Sequence, residues 1–120
     1  MTSLNSFGAI MTHAIELETQ LRNYYHRVGN DLRAVDADKR RLNLERVRRE
    51  NVTEIKLEPI QGLDEAHYTL NLDDISDAGQ KAVETTAARF YTDVARHMNV
   101  REAQRALERA ARQHAALAEG

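Results

Sequence analysis

Residues 14–28, AIELETQLRNYYHRV, decide the fold of this chain. Apolar side chains recur along this stretch at helical spacing, and the seam they form includes Ala14, Leu21 and Tyr25. Position 18 belongs to the same seam, but it is a glutamate. Because a carboxylate in an apolar interior is costly unless its charge is used there, Glu18 is a candidate functional residue.

A second copy of this pattern lies in residues 82–96, AVETTAARFYTDVAR. Its glutamate, Glu84, is again followed by threonine, by an aromatic residue six positions later and by Tyr91 seven positions later. A further match joins LERVRREN, residues 44–51, to LERAARQH, residues 107–114. The chain is therefore predicted to be a duplicated helical hairpin, all-α and with four helices.

The composition indicates one folded domain over residues 1–120. Hydrophobic residues make up 42% and charged residues 30%, which is typical of a globular rather than a disordered chain. One proline and five glycines leave few interruptions and favour long helices. The absence of cysteine excludes disulfides and thiolate metal sites.

Charge and hydropathy limit the partners that we expect. No stretch resembles a signal peptide, and no apolar run approaches the ~20 residues that span a bilayer, so we expect a cytoplasmic protein without a membrane partner. The basic residues between positions 39 and 49 offer a nucleic-acid-binding alternative. Interleaved glutamates, missing stacking aromatics and a net charge of −2 favour a solvated helix face instead, so we expect no nucleic-acid partner.

The first hairpin is predicted over about residues 4–57. Its first helix begins after one of three polar caps, Ser3, Asn5 or Ser6. Residues 29–30 offer one end for this helix. We favour a continuation to about Val35, because the aspartates that follow are good caps for a second helix over about residues 37–57.

A connection over residues 58–72 leads to the second hairpin, predicted over about residues 73–119. VTEIKLE and HYTLNL both alternate apolar and polar residues, so a β-hairpin over residues 52–72 is one alternative. A long crossover loop is the other, because bundles of this type need one. Helix 3 is predicted from a cap at residues 73–76 to about Met98, and helix 4 from Val100 to about Glu119.

Counting residues outward from the predicted turns places four polar seam positions at one level of the bundle. One comes from each helix: Glu18, Asn51, Glu84 and His114. Two buried carboxylates in one layer need a shared proton, a cation or a metal ion. Carboxylates with an imidazole suit iron, manganese or zinc, so Glu18, Glu84 and His114 are the candidate metal ligands. The tyrosines that follow the two glutamates are expected to reach carboxylates on neighbouring helices.

In this pattern the chain resembles the ferritin-like superfamily, and its rubrerythrin-like branch most closely. The resemblance rests on the glutamate–tyrosine spacing in helices 1 and 3, the duplicated hairpin and the crossover. It implies a ferritin-like four-helix bundle with a mononuclear or di-iron site for iron oxidation or peroxide handling. The family carries Glu-x-x-His in helices 2 and 4. Here the corresponding positions hold Arg48 and Asn51 in helix 2, and Ala111 stands three residues before His114 in helix 4.

Two hypotheses for function follow. In the first, the protein is ferritin-like with a degenerate carboxylate–histidine site that binds or oxidises iron, and Tyr25 and Tyr91 orient the glutamates or supply electrons. In the second, it is a non-catalytic helical bundle for self-assembly or partner binding, and the glutamates are structural. Arg48 entering the layer would neutralise a carboxylate and favour the second hypothesis. We expect a homo-oligomer.

Overall fold

The computed structural model describes residues 4, 6–51 and 62–120. The described part of the chain is all-helical, as predicted, and its long helices form a four-helix bundle. The elements in chain order are α1 (Phe7–Val28), α2 (Asp31–Asn51), a short 3₁₀ helix (Glu65–Tyr68), α3 (Asp77–Ala95) and α4 (Arg101–Glu119). Of the helices within the described ranges, none combines the length and apolar character that a bilayer crossing requires.

The first helix has a polar cap at one end and a glycine at the other. Ser6 caps its start, because the Ser6 hydroxyl accepts a hydrogen bond from the Ala9 N–H at 3.1 Å. It ends at Gly29, whose φ of 88° lies in the left-handed region that a residue without a Cβ enters most easily. The predicted continuation to Val35 is therefore wrong, and the alternative end at residues 29–30 is confirmed.

The second helix begins earlier than predicted, because α1 already ends at Gly29. The side-chain oxygen of Asn30 accepts a hydrogen bond from the Arg33 N–H at 3.1 Å, so Asn30 starts α2 immediately after the glycine. α2 then runs to Asn51. The predicted extension over residues 52–57 lies outside the described residues.

The second hairpin matches its predicted bounds closely. Ser76 caps α3 by accepting a hydrogen bond from the Gly79 N–H at 3.1 Å. α3 ends at Ala95, three residues before the predicted Met98, and a tight turn leads to α4. α4 begins at Arg101, one residue later than predicted.

Side-chain pairs fix the direction of α3 relative to α1. Tyr91 lies opposite Glu18, and Glu84 lies opposite Tyr25, so the two helices run antiparallel. Each hairpin is itself antiparallel, so α2 and α3 must run in the same direction. α3 therefore begins at the end of the bundle opposite to the end of α2, and a segment that is described from residue 62 onward joins the two helices.

The described part of that segment follows α1 from one end to the other. The Leu4 N–H donates to the Leu63 carbonyl at 3.2 Å near the start of α1. Near the end of α1, Arg27 donates to the Leu72 carbonyl at 2.8 Å. Over the described residues 62–72, this path agrees with a crossover loop, the second of the two predicted alternatives.

The β-hairpin alternative is not supported over the described residues 62–72. Its second strand, HYTLNL at residues 67–72, begins inside the 3₁₀ helix and continues without strand structure. Tyr68 instead packs against the bundle, and its hydroxyl donates to Asp93 at 2.7 Å. Burial and this carboxylate raise the pKa of Tyr68 to about 12. The first strand, residues 52–58, lies outside the described residues.

The core holds aromatic, aliphatic and alanine side chains from all four long helices. Tyr24 and Tyr25 on α1 are fully buried, as are Phe90 and Tyr91 on α3. Within the described ranges, four polar or charged residues are buried with them: Glu18, Asn51, Glu84 and His114. These are the four polar positions that the sequence placed in the apolar seams.

Candidate functional site

The candidate site is a layer of polar side chains in the middle of the bundle. Glu18 on α1, Glu84 on α3 and His114 on α4 are each 0% exposed. The imidazole of His114 lies between the two carboxylates. Its Nε2 is 2.8 Å from Glu18 Oε2, and its Nδ1 is 2.5 Å from Glu84 Oε2. The expected convergence of these three residues is therefore confirmed.

Two tyrosines add hydrogen bonds to the carboxylates. The Tyr25 hydroxyl donates to Glu84 Oε1 at 2.6 Å, and the Tyr91 hydroxyl donates to Glu18 Oε2 at 2.5 Å. Each tyrosine thus donates a hydrogen bond to the glutamate of the other hairpin. The arrangement follows from one spacing of seven residues on two antiparallel helices, and it confirms the expected reach of the hydroxyls.

The remaining long helix, α2, contributes an arginine to the layer. Arg40 on α2 donates from Nε to Glu18 Oε1 at 2.9 Å, and its side chain is only 9% exposed. Its Nη1 donates to Gln113 Oε1 on α4 at 3.3 Å. An arginine in this layer is the feature that distinguishes the structural hypothesis from the metal hypothesis.

Asn51 was the predicted neighbour from α2, and this prediction is wrong; Arg48, whose entry would have favoured the structural hypothesis, also lies outside the layer. The Asn51 amide donates to the Val47 carbonyl of its own helix at 2.8 Å, and Arg48 lies 3.4 Å from Thr12 Oγ1. Asn51 is eleven residues beyond Arg40, which corresponds to about 16 Å along a helix.

The position of the turn explains the error. Glu18 stands eleven residues before Gly29, and Arg40 stands eleven residues after it. Counting from the observed turn therefore finds Arg40 at the level of Glu18. Counting from the predicted turn near Val35 found Asn51. Gly29 was therefore the sequence signal that could have identified Arg40, the residue that the sequence analysis missed.

Burial and charge act in opposite directions on the ionisable groups of the layer. Burial favours the neutral form of Glu18, but His114 and Arg40 outweigh it and hold the pKa of Glu18 below its usual value. Burial also disfavours the imidazolium, but the two carboxylates outweigh it and raise the pKa of His114. With His114 protonated and both glutamates ionised, two positive charges face two negative charges.

The tyrosines remain hydrogen-bond donors. Burial raises the pKa of Tyr91 well above its ordinary value, and the neighbouring Glu18 carboxylate adds to the rise. Burial and Glu84 raise the pKa of Tyr25 in the same way. Neither phenol gives up its proton at neutral pH, so both hydroxyls keep donating to the glutamates.

The residues of the layer do not fit a di-iron centre. The family pattern needs four carboxylates and two histidines, whereas the layer contains two carboxylates, one histidine and an arginine. Among the described residues, no group of three or more His, Cys, Asp and Glu side chains has the geometry of a metal site. That Glu18, Glu84 and His114 hold a single metal ion stays a prediction.

Comparison with known proteins found no matching family model, no matching curated protein and no matching solved structure. The resemblance to the ferritin-like superfamily therefore stays a prediction from the sequence pattern.

Proposed function

We propose that this protein is a non-catalytic helical bundle of the ferritin-like type that acts through self-assembly. One observation carries the proposal: the carboxylates and the imidazole of the polar layer find all their partners within the protein. All four carboxylate oxygens of Glu18 and Glu84, and both ring nitrogens of His114, have hydrogen-bond partners in the protein. The layer then joins all four helices through paired charges.

Charge balance supports the same conclusion. A divalent cation bound here would take the place of the second proton of His114. With Arg40 still in place, two carboxylates and a divalent cation would leave the layer with one net positive charge. A net charge in a fully buried layer is costly. The paired layer carries none, so the protein-only arrangement is favoured.

The outer face of α2 supports self-assembly. Leu32, Val35 and Leu42 are 81%, 49% and 52% exposed, and their spacing of three and seven residues places them on one stripe. Asp31 lies at the start of this face and Arg46 towards its end. A second copy of α2 packed antiparallel would cover the apolar stripe and bring each Asp31 towards the other Arg46.

Light scattering coupled to size exclusion tests the assembly. The wild-type protein is expected to elute as a dimer, and the double variant Leu32→Ser/Leu42→Ser as a monomer. Ile75→Ser is the matched control, because Ile75 is 51% exposed but lies outside α2. A wild-type protein that stays monomeric at all concentrations, or a control that dissociates equally, would contradict the proposal.

Metal binding is the second candidate function, and the convergence of Glu18, Glu84 and His114 favours it. Anaerobic titration with ferrous iron and with zinc separates the two functions. We expect no stoichiometric binding and no rise in melting temperature. One ion per chain, with a melting temperature that rises in wild type but not in Glu84→Gln, would replace our proposal with the metal site. His13→Gln serves as the control, because His13 lies outside the layer and beside Glu65.

A further inference from the structure

A groove of about 460 Å³ lies between α2 and α4. Much of its lining is apolar: Leu44, Ala106, Ala110, Ala116 and Leu117. The groove exists because α4 presents alanines where larger side chains would fill the space. Its volume falls within the range of sites that take small organic molecules.

The polar part of the lining is mainly cationic. Lys39 and Arg40 contribute from α2, and Arg109 contributes from α4. Arg40 is paired with Glu18, and Asp36 also lines the groove, so the remaining charged side chains carry one net positive charge. An anionic ligand is favoured over a neutral or cationic one.

Arg40 borders the groove but offers it no accessible, unpaired hydrogen-bond donor. Its Nε and Nη1 are engaged by Glu18 and Gln113, but its Nη2 is buried and has no hydrogen-bond partner among the described residues. A buried guanidinium N–H normally has an acceptor. The groove borders the same side chain, but a ligand in the groove does not reach Nη2, because this atom has almost no accessible surface. Lys39 and Arg109 are exposed and are the cations that a ligand in the groove meets.

We propose that this groove binds a small amphipathic carboxylate. The carboxylate pairs with the Lys39 ammonium and the Arg109 guanidinium. The aliphatic part lies along Leu44, Ala110 and Leu117. Two exposed cations beside one aspartate suit a monoanion, and the apolar wall suits a hydrocarbon tail. The ligand would bind across α2 and α4, which are also joined by hydrogen bonds from Arg40 to Gln113 and from Arg46 to Glu102.

Calorimetric titration with octanoate tests the proposal, with octan-1-ol as the uncharged probe of the same chain length. Octanoate is expected to bind with one molecule per chain. Octan-1-ol should bind at least about tenfold more weakly, because it lacks the charge that pairs with the guanidinium. Equal binding of the two probes, or no binding of octanoate, would overturn the proposal.

Variants at the rim of the groove locate the site without disturbing the core. Ala116→Phe fills the groove from an exposed position and should abolish octanoate binding. Ala115→Phe is the matched control, because Ala115 is exposed on the same helix but does not line the groove. Octanoate that binds Ala116→Phe as well as wild type would place its site elsewhere and overturn the proposal.

The cationic wall is tested in the same way. Arg109→Gln should weaken octanoate binding severalfold, whereas Arg112→Gln, an exposed arginine outside the groove lining, should leave it unchanged. Equal losses in both variants would indicate general charge attraction and overturn the assignment. Arg40 is kept in every variant, because its loss would also deprive Glu18 of its cation.

Discussion

At the scale of single residues, His114 is the centre of the buried layer. Its two ring nitrogens face the two glutamates, and both contacts lie in a fully buried environment. Removing one partner from such a group leaves an uncompensated charge, which is far more destabilising than replacing the whole group by apolar side chains. A substitution that removes one charged partner of the layer should therefore lower stability more than a double substitution that removes both partners of a pair.

His114→Leu is expected to lower the free energy of unfolding by about 3–5 kcal/mol, because Glu84 loses the cation that pairs with it among the described residues. Urea denaturation followed by circular dichroism measures the loss. His97→Leu is the control, since His97 is exposed near the end of the second hairpin's first helix and should change stability by no more than about 0.5 kcal/mol.

A second substitution tests whether the loss comes from charge or from volume. In His114→Leu/Glu84→Leu the orphaned carboxylate is gone, while Glu18 keeps Arg40 and Tyr91. We expect the double variant to be more stable than His114→Leu alone. A double variant that is less stable than the single one would show that packing, not charge pairing, governs this layer.

At the scale of elements, the end of α1 determines which residues meet. Gly29 stops the helix and Asn30 starts the next one, so the level of every side chain on α2 is set by a two-residue connection. A turn six residues later would bring a different set of side chains to Glu18. The identity of the cation in the layer is thus a consequence of a local backbone conformation.

Replacing Gly29 by alanine should lower the free energy of unfolding by about 1 kcal/mol, because a Cβ is strained at a φ of 88°. Gly8→Ala is the matched control within the same helix. Gly8 has open space around it and a negative φ, so alanine there should be neutral or stabilise by up to about 1 kcal/mol. Thermal melts of both variants check the contrast, and an equal loss in both would contradict this explanation.

The sequence predicted the polar layer better than it predicted the helix ends. Glu18, Glu84 and His114 were identifiable because a polar residue in a regular apolar seam breaks a periodic pattern. Arg40 was not identifiable in that way, because it is one of many basic residues on α2 and its role depends on the turn. Periodicity reports which face a residue occupies. Its level along the bundle depends on where the neighbouring helix begins.

At the scale of the whole molecule, the layer should make global stability depend on pH from both sides. The pKa of His114 is raised on folding above its ordinary 6.5, so its contribution is complete below that pH and is lost as pH rises through the folded value. The pKa of Glu18 is lowered below its ordinary 4.5, so its contribution is present above that pH and is lost as pH falls through the folded value.

Unfolding free energies measured between pH 3 and pH 10 should therefore pass through a maximum. Each unit by which folding raises the pKa of His114 corresponds to about 1.4 kcal/mol lost on the alkaline side. His114→Leu should lack this alkaline decline, whereas His97→Leu should keep it. A wild-type profile without an alkaline decline below pH 10 would contradict the raised pKa.

The reciprocal pairing of tyrosine and glutamate has a consequence for how such a molecule can be divided. Tyr25–Glu84 and Tyr91–Glu18 are the same contact made twice, as an isologous interface makes it. A lone hairpin with this spacing could satisfy its own glutamate only by pairing with an identical copy. Because both hairpins belong to one chain here, their sequences can differ. His114 on α4 contacts both glutamates and Arg40 on α2 contacts only Glu18, so the two hairpins are not equivalent.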